Sequence, residues 1–486
     1  MADVSPQPTA PERGEAAPAR LERIRRKCEP ALELMRGSDT AKVAGLAGAM
    51  IANNALALAA TVVFARLIGD YGSLAALVAY LLILTVVGQA LQVATAREGV
   101  IGRLGVGEGL LATLRSWTRT MVLFTIVITA CSIVLRQPIA NLVGVKHDPW
   151  AAAAGLPAAC VYLEVSLLRG ALQGVGDYKS VGFSLIGEQA ARLVFGTILA
   201  LVGLGVAGAY LGSLTAYVLM SFYCAWELGR VVRGRSPVPA SEQIAMRATR
   251  AARGLWAHVR SAWVPIAGLA VIQLLQNIDL IAAKHRFSSE LASSYAATAV
   301  AAKVLIWVAM GAGFYLVPEC SRRHAEGRET RRVLLQTVGV LAVCAVPCLL
   351  IFAVASHPLL AIVFGERRAT ASASLLPLGA AFTVLAATYL AVQYMLALKR
   401  RAFLIVLGAV AVAELPLLLQ APQHPAGFAA VVLAVQAVGA VLAFALALRK
   451  DTGAPPAPEV TAAVASDPAR ERAYERSAAA VTSEPG

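Results

Sequence analysis

Long uncharged apolar stretches alternate with short polar stretches along most of this chain. The first two, 43–65 and 71–93, each hold about 20 residues, which is enough for a helix to cross roughly 30 Å of hydrocarbon. The same pattern predicts further spans at 120–135, 151–168, 182–204, 206–225, 263–283, 295–317, 333–355, 371–398, 403–419 and 428–448. We therefore expect an all-α polytopic membrane protein with about 12 transmembrane helices.

Part of the first half of the chain recurs in the second half. The residues that recur 220 positions later are Pro138, Pro157 and Gln173, which return as Pro358, Pro377 and Gln393. Six spans bring the chain back to the same side of the membrane, so a duplicated unit of six helices predicts two halves in parallel orientation. The alternative is chance similarity between helices rich in Ala, Leu and Val.

Composition divides the chain into five parts. Segments rich in Ala, Pro, Glu and Ser, with few large apolar residues, cannot bury enough surface to fold alone. The predicted parts are a disordered and basic cytoplasmic amino-terminal segment (1–42), a first six-helix bundle (43–229), a cytoplasmic linker (230–260), a second six-helix bundle (261–448) and a disordered cytoplasmic tail (449–486).

The net charge of +14 is distributed unevenly between the two sides of the membrane. Arg192 and Lys303 lie within spans, and only seven basic residues fall in the predicted outer loops: Arg66, Arg136, Lys146, Lys284, Arg286, Arg367 and Arg368. The other basic residues lie in the tails and in the loops on the opposite side, which the positive-inside rule assigns to the cytoplasm. We therefore expect both termini to be cytoplasmic and no nucleic-acid partner, since no basic soluble domain is present to read nucleic acid.

The sequence contains no motif for enzymatic chemistry. It has no phosphate-binding loop for ATP and no spaced histidine and cysteine ligands for a metal. A membrane glycosyltransferase would need catalytic acids on an outer loop. The acids there, Asp148, Glu290 and Glu366, lie on three different loops. We expect no enzymatic activity, no cofactor and no metal.

Charged residues inside the spans are the candidate functional groups, because a charge at mid-bilayer costs at least about 2.5 kcal/mol on insertion scales. Glu188 and Arg192 are four residues apart in span five and are expected to pair, with Gln189 beside them. One interpretation is mutual neutralisation. The other is that Arg192 faces a water-filled cavity and binds a phosphate while Glu188 orients it or exchanges a proton.

In the second half, Asp279 and Lys303 are expected to pair between spans seven and eight. Lys303 is then either a structural counter-ion or an anion ligand. Glu164 and Glu414 have no close partner in sequence, and each is a candidate proton carrier. The candidate ion-coupling residues are Glu188, Asp279, Glu164 and Glu414.

Uncharged amides are concentrated in spans one, two and seven. Any single one is expected to bond across helices, whereas together they suggest a polar lining suited to sugar hydroxyls. These amides are Asn53, Asn54, Gln89, Gln92, Gln273, Gln276 and Asn277. The candidate substrate-binding residues are Arg192, Lys303, Glu188, Gln189, Asn53, Asn54, Gln89, Gln276 and Asn277.

Three junctions between spans carry a family resemblance: FARLIGDYGSLAAL, LLRGALQGVGDYKSVGFSLIGEQAARL and NIDLIAAKHRFSSELASSYAATAVAAKVL. They resemble the polysaccharide transporter branch of the multidrug, oligosaccharidyl-lipid and polysaccharide (MOP) exporter superfamily. The resemblance implies a MATE-like fold of two six-helix bundles forming a V around a central cavity. It also implies a flippase that moves a polyprenyl-pyrophosphate-linked oligosaccharide across the bacterial plasma membrane by alternating access, for cell-surface polysaccharide biosynthesis.

The same resemblance implies the partners: a lipid-linked glycan, membrane lipids, and a glycan polymerase or glycosyltransferases. Arg192 and Lys303 are the residues that suit contact with the pyrophosphate. Lipid II flippases of the superfamily commonly have two further spans, which disfavours lipid II as the substrate. An ion-coupled multidrug antiporter of the same superfamily and a non-transporting membrane scaffold remain the alternatives.

Overall fold

A computed structural model describes residues 39–100, 102–105, 107–234, 254–326 and 328–449, and every regular element in these ranges is a helix. Most of the predicted amino-terminal segment (1–42) and nearly all of the predicted tail (449–486) lie outside the described residues. The central part of the predicted linker, 235–253, lies outside them as well.

The chain divides into two compact units, Met1–Ile266 (unit 1) and Ala267–Gly486 (unit 2). The helices up to this division are α1 (Asp39–Leu67), α2 (Tyr71–Val100), α3 (Glu108–Val134), α4 (Arg136–Val143), α5 (Pro149–Gly174), α6 (Tyr178–Leu199), α7 (Gly205–Arg233) and α8 (Leu255–Ser261). The remaining helices are α9 (Trp263–Arg286), α10 (Ser289–Ala302), α11 (Val304–Ala325), α12 (Arg331–Phe364), α13 (Leu375–Ala397), α14 (Phe403–Leu419) and α15 (Pro425–Ala447).

The predicted spans are present as apolar helices. Ten helical ranges are long and apolar enough to cross a membrane, and one of them, Tyr178–Arg233, contains both α6 and α7. With the shorter apolar helix α14, the described residues hold 12 apolar helices or broken helices, as the sequence predicted. Many apolar side chains on them are exposed, which is expected where lipid rather than water surrounds the protein.

The sequence repeat coincides with a repeated bend. In unit 1, Leu135 leaves helical geometry between α3 and α4, and in unit 2 Ala355 does so inside α12. Each bend lies three residues before a recurring proline, Pro138 or Pro358. Proline lacks an N–H group and its ring clashes with the carbonyl group four residues earlier, so the helix bends just before it. The bends therefore repeat at the same 220-residue interval as the prolines.

Helices α5 and α13 end in the same type of turn, but with different residues. In unit 1, Gly176 has a positive φ of 82°, and the next amide, of Asp177, bonds back to the carbonyl of Leu172. In unit 2, Lys399 takes the corresponding place with φ 56°, and the amide of Arg400 bonds back to Met395. Glycine adopts this left-handed conformation without strain, whereas a lysine there is strained.

Close approach of helices in unit 1 depends on glycine. A side chain added at Gly170 would lie 2.5 Å from the Gln92 carbonyl oxygen, and one at Gly174 would lie 2.9 Å from the Gly99 Cα atom. These two glycines on α5, four residues apart, bring it against α2 in the manner of small-residue packing in membrane helices. Helix α5 is thereby held where Arg169, next to Gly170, enters the interior of unit 1.

The short helix α8 lies almost entirely within the range predicted as linker (230–260), and it belongs to unit 1. His258 is fully buried, with its Nε2 atom 3.0 Å from Thr95 Oγ1 and its Nδ1 atom 3.3 Å from Glu98 Oε2. Its ring stacks on Trp117 at a centroid distance of 5.0 Å. These contacts fasten the end of the linker to α2 and α3.

Candidate functional site

A buried ion pair connects α5 and α6 in unit 1. The guanidinium group of Arg169, only 1% exposed, lies 2.9 Å from a carboxylate oxygen of Glu188. Its Nε atom donates to Ser184 Oγ at 2.8 Å, and another nitrogen donates to the Ser184 carbonyl oxygen at 2.9 Å. A buried charge is tolerated only when it is paired and hydrogen-bonded, and Arg169 meets both conditions.

The predicted pair between Glu188 and Arg192 is wrong, because Glu188 pairs with Arg169 instead. Arg169 approaches from the neighbouring helix at full burial, where its charge requires a carboxylate more strongly than the half-buried Arg192 does. Arg192 makes no hydrogen bond or ion pair with any other described residue, and its Nε atom is buried without a partner. Among the residues that the structure describes, unit 1 therefore holds one apolar-span cation, Arg192, with no ion-pair partner.

Helix α7, which packs against α6, carries several buried hydroxyl groups. Tyr210 and Tyr217 both lie within electrostatic range of its guanidinium group. The hydroxyls of Tyr210 and Ser213, 2% and 1% exposed, have no hydrogen-bond partner among the described residues. Unsatisfied polar groups at such burial are uncommon and indicate a place for a ligand or water.

Two other predicted polar residues of unit 1, Gln189 and Gln89, lie around the ion pair. Gln189 is buried beside Glu188, and its Oε1 atom has no partner among the described residues. Gln89 is half-buried and interacts with Tyr162, which in turn packs edge-on against Tyr217. Gln89 and Gln189 therefore belong to the surroundings of the ion pair.

Three predicted residues of unit 1 lie apart from the ion pair. Asn53 and Asn54 on α1 are half-buried and bond to each other at 3.3 Å. Glu164 on α5 is half-buried and interacts with Thr118 on α3. None of the contacts found for these residues reaches Arg169, Glu188 or Arg192, and the roles predicted for them in substrate binding and ion coupling stay predictions.

In unit 2, the eighth span is broken at Lys303. Helix α10 ends at Ala302 and α11 begins at Val304, whereas the sequence predicted one continuous span. The Lys303 amide still bonds to the Ala299 carbonyl, and the lysine forms the carboxyl-terminal cap of α10. A cation is favourable at that position because the helix dipole places partial negative charge there.

Lys303 and Asp279 lie close together, as predicted. The Lys303 Nζ atom is 3.8 Å from Asp279 Oδ1 and donates to Asn277 Oδ1 at 3.3 Å. The other oxygen of Asp279 accepts a bond of 3.2 Å from the Tyr295 hydroxyl. The ammonium group also lies 5.1 Å from the ring centre of Phe382. The ion pair is confirmed, but it is longer than the pair in unit 1.

Glu414 adds a second carboxylate to this region. It is fully buried on α14, and its Oε1 atom accepts a bond of 3.2 Å from Gln436 of α15. The same Gln436 nitrogen donates to the Leu275 carbonyl of α9 at 3.0 Å. Glu414 also interacts electrostatically with Asp279 and Lys303. Two of the four predicted ion-coupling residues, Asp279 and Glu414, thus lie in one buried cluster.

The charged clusters of the two units have opposite formal charge. The unit 1 cluster (Arg169, Glu188, Arg192) contains two cations and one carboxylate. The unit 2 cluster (Asp279, Lys303, Glu414) contains one cation and two carboxylates. Ionised groups that are not balanced locally attract a counter-charge, so the first cluster favours an anion and the second favours a proton or a cation.

The two remaining candidates of unit 2 on α9 differ in their burial. Asn277 is buried, donates to the Gln273 carbonyl and accepts the bond from Lys303. Gln276 is half-buried, and no contact joins it to the unit 2 cluster. The predicted lining is therefore connected to Lys303 through Asn277.

Sequence reasoning missed several residues of these clusters. The predicted fourth span ended at Leu168, which placed Arg169 in a cytoplasmic loop, although the helix continues to Gly174. Gly170 and Gly174, spaced for close helix packing, were the available signal that Arg169 lies inside the bundle. Gln436 and Tyr210 lie in spans and carry no charge, so only the structure distinguishes them from ordinary packing residues.

Exposed ion pairs occur on α11 beyond the predicted eighth span. Glu319 accepts bonds of 2.6 Å from Arg323 and 2.9 Å from Arg322. These bonds hold the pKa of Glu319 below its usual value. This group is open to solvent and contributes to neither cluster.

No family profile matches the sequence, and no curated protein matches it. Solved structures do match. They include an inward-facing multidrug resistance MATE family transporter of the MOP superfamily at 15% identity and TM-score 0.58, covering 81% of this chain and 93% of that one. The lipid II flippase MurJ in an inward closed conformation matches at 12% identity and TM-score 0.60, covering 82% of this chain and 87% of that one. The MATE transporter ClbM in complex with Rb+ matches at 16% identity and TM-score 0.53, covering 85% of this chain and 96% of that one.

The chain therefore has the fold of MATE transporters and MurJ, which are members of the MOP exporter superfamily. The predicted resemblance is confirmed at the level of the fold, and so is the all-α polytopic architecture. At these identities the match concerns the fold and leaves the substrate open.

Proposed function

We propose that this protein is a transporter that flips a polyprenyl-pyrophosphate-linked oligosaccharide, or a polysaccharide precursor, across the bacterial plasma membrane by alternating access. The observation that carries the proposal is the Arg192 guanidinium group in a membrane span, which pairs with no other described residue and lies within electrostatic range of the unsatisfied Tyr210 hydroxyl. A guanidinium group binds phosphate oxygens through paired N–H donors, and hydroxyl groups supply further donors.

The unit 1 cluster supplies the positive charge that a pyrophosphate requires. Arg169 and Glu188 neutralise each other, so the remaining charge is that of Arg192. The lipid tail of such a substrate can remain in the bilayer, and only the pyrophosphate and sugars need a polar path. Buried amides such as Gln189 offer both donors and acceptors to sugar hydroxyls.

The unit 2 cluster supports coupling to an ion gradient. Its formal charge of −1 is neutralised when one proton or one monovalent cation binds. Asp279 or Glu414 is the acceptor of that charge, and Lys303 lies beside Asp279 and within electrostatic range of Glu414. The sequence contains no phosphate-binding loop for ATP, so a gradient is the available source of energy.

An ion-coupled multidrug antiporter is the second candidate. Buried tyrosines in unit 1 favour it, because aromatic rings contact apolar cationic drugs well. Tyr162 and Tyr217 pack at a centroid distance of 5.0 Å, and Tyr210 is buried near them. The unit 2 cluster serves this function equally well, so the two candidates differ in the substrate and not in the coupling.

Transport by the purified full-length protein in liposomes tests both candidates. We expect it to accelerate flipping of a labelled polyprenyl-pyrophosphate oligosaccharide, and Arg192→Ala to reduce this rate at least tenfold with an unchanged melting temperature. The matched control is Arg233→Ala, at an exposed arginine that ends α7. If the protein moves cationic drugs and not the glycan, it is the antiporter. If it moves neither, the scaffold alternative holds.

We further propose that both termini are cytoplasmic and that the lipid-linked glycan is delivered and consumed by glycosyltransferases and a glycan polymerase. Reporter fusions at residue 1 and residue 486 should both be active on the cytoplasmic side of a bacterial cell. A fusion active on the outer side would reverse the orientation inferred from the basic residues.

A further inference from the structure

A basic pocket of about 280 Å³ lies at one end of unit 2, away from the unit 2 cluster. Three separate parts of the chain form it: the last turn of α11 with the connection to α12, the end of α13 with the turn after it, and Arg449, two residues beyond α15. The lining residues are His324, Arg328, Glu329, Thr330, Arg331, Tyr394, Leu398, Arg400 and Arg449. The sequence assigned the loops after the spans 295–317 and 371–398 and the residues after 448 to the cytoplasmic side, and it placed Tyr394 and Leu398 at the inner end of the span 371–398.

The pocket has a strong excess of positive charge. Four arginines and one glutamate line it, which gives a formal charge of +3 with the histidine neutral. Arg328 contacts Glu326 at 3.3 Å, and Arg400 donates to the carbonyl oxygens of Leu446 and Ala447 at the end of α15. Two of the four arginines are therefore already engaged.

The other two arginines are free to bind a ligand. Within the described part of the chain, the guanidinium groups of Arg331 and Arg449 make no hydrogen bond and no ion pair. Each offers several N–H donors in a planar arrangement that fits the oxygens of a phosphate group. His324 lines the same pocket and also has no partner among the described residues.

The start of α12 adds to the positive potential. This helix of 34 residues begins with Arg331 and Arg332 and has no acidic residue in its first turn. The dipole of a helix already places positive partial charge at its amino terminus, where acidic groups are normally favoured. Two arginines at that position add to this positive potential, against which the pocket sets only the carboxylate of Glu329.

Two buried hydroxyl groups supply a further donor. Thr330 Oγ1 and the Tyr394 hydroxyl lie 2.8 Å apart, and both line the pocket at 9% and 1% exposure. Two hydroxyl groups carry two O–H donors, and the bond between them uses one. The second O–H has no acceptor among the described residues, so it is available to an anion oxygen.

We propose that this pocket binds a phosphate group, carried either by an anionic lipid of the inner leaflet or by a soluble phosphate compound. Basic pockets at the cytoplasmic ends of membrane helices suit such headgroups, and arginine with hydroxyl donors is the chemistry that recognises them. The site is separate from the proposed transport pathway, since its residues lie outside the predicted spans that hold Lys303 and Glu414. The role we propose for this site is to bind a phosphate-bearing lipid or a soluble phosphate compound from the surroundings of the transporter.

Thermal unfolding of the detergent-purified full-length protein tests the proposal. The probes are dioctanoyl phosphatidylglycerol, dioctanoyl phosphatidylcholine and inorganic phosphate, at constant ionic strength. We expect a saturable rise in melting temperature with phosphatidylglycerol and none with phosphatidylcholine. The double variant Arg331→Ala with Arg449→Ala should weaken the apparent affinity at least tenfold. A shift with inorganic phosphate as well would identify the phosphate alone as the ligand, and its absence would identify the lipid headgroup.

The matched control is Arg332→Ala, at an exposed arginine next to the pocket that does not line it. This variant should retain the wild-type response. The proposal is overturned if the wild-type protein shows no saturable shift, if phosphatidylcholine acts like phosphatidylglycerol, or if the double variant responds as Arg332→Ala does. Should the double variant fail to fold, Arg449→Gln alone, which lies beyond the last helix, gives the same comparison.

Discussion

The charged clusters of unit 1 and unit 2 are built differently, with a short and fully hydrogen-bonded ion pair in unit 1 and a longer one in unit 2. In unit 1, Arg169 contacts Glu188 at 2.9 Å and uses its other donors on Ser184, so every part of the guanidinium group is fixed. In unit 2, Lys303 is 3.8 Å from Asp279 and donates to the neutral Asn277. We therefore expect the short pair to stay intact and the longer pair to be the one that can exchange partners.

The two clusters also differ in how their charges are balanced. Glu188 pairs with Arg169, which leaves Arg192 as a cation without a carboxylate partner among the described residues. In unit 2 one lysine faces two carboxylates, and a proton or cation can join them. Unit 1 is therefore suited to hold an anionic substrate group, and unit 2 to respond to an ion gradient. Each of the following changes tests this division.

Loss of Arg169 should have the largest effect on stability. Arg169→Met leaves Glu188 charged and buried without a partner, which should cost about 3–5 kcal/mol of folding free energy. We expect a large fall in melting temperature and in the yield of monodisperse protein, measured by size-exclusion chromatography after heating.

The matched control removes both charges of that pair. Arg169→Met with Glu188→Met should recover most of the lost stability, because a buried ion pair can often be replaced by apolar residues of similar volume. If the single and double variants melt at the same low temperature, the hydrogen bonds to Ser184 and not the ion pair hold α5 and α6 together.

Glu414→Gln should affect coupling and leave stability nearly unchanged. Glutamine keeps the acceptor for Gln436 and brings the formal charge of the unit 2 cluster to zero. Because the cluster then needs no added cation, we expect at least a tenfold loss of gradient-driven transport, with counterflow in the absence of a gradient retained. Glu290→Gln, in the exposed first turn of α10, is the control. Full gradient-driven transport by Glu414→Gln would remove this glutamate from the coupling mechanism.

Substitutions in the turns after α5 and α13 should have a smaller effect on stability, destabilising at Gly176 in unit 1 and stabilising at Lys399 in unit 2. Lys399→Gly should stabilise the protein by about 1 kcal/mol, because it removes a side chain from a left-handed conformation. Gly176→Ala should destabilise it by a similar amount. The melting temperatures of the two variants check this pair of expectations, and Lys399→Asn, which tolerates positive φ, should lie between wild type and Lys399→Gly. A lower melting temperature for Lys399→Gly would mean that the lysine makes a stabilising contact.

The smallest effect is expected at Glu319, which is half-buried and lies outside the predicted spans. Its pKa is lowered by Arg323 and Arg322, so its contribution to stability is present above its usual value near 4.5 and is lost as the pH falls through the lowered value. Glu319→Gln should therefore lower the melting temperature slightly at pH 7 and make no difference at strongly acidic pH. A large change at pH 7 would indicate that this surface group matters as much as the buried clusters, contrary to the usual weakness of exposed pairs.

The number of spans and the bends could be predicted from the sequence because their causes are local. A run of apolar residues determines where a helix crosses the membrane, and Pro138 and Pro358 determine where two of the helices bend. The approach of Asp279 to Lys303 was also predictable, since a short loop joins their spans and makes them neighbours.

The ion pair of unit 1 could not be predicted in the same way. Glu188 has one cation four residues away on its own helix and another, Arg169, on the preceding helix, and only the packing of α5 against α6 decides between them. The break at Lys303 also lacks a local signal, because neither proline nor glycine lies beside it. Both features arise from contacts between helices, which a pattern along one helix does not contain.

The two bends at Leu135 and Ala355 also bear on the ancestry of the molecule. Their equal spacing from Pro138 and Pro358 favours duplication of one unit over chance similarity as the origin of the sequence repeat. The buried charges do not follow this repeat, since the unit 1 cluster has a net positive formal charge and the unit 2 cluster a net negative one. The bend is therefore a shared property of the two halves, whereas the charge is specific to each half.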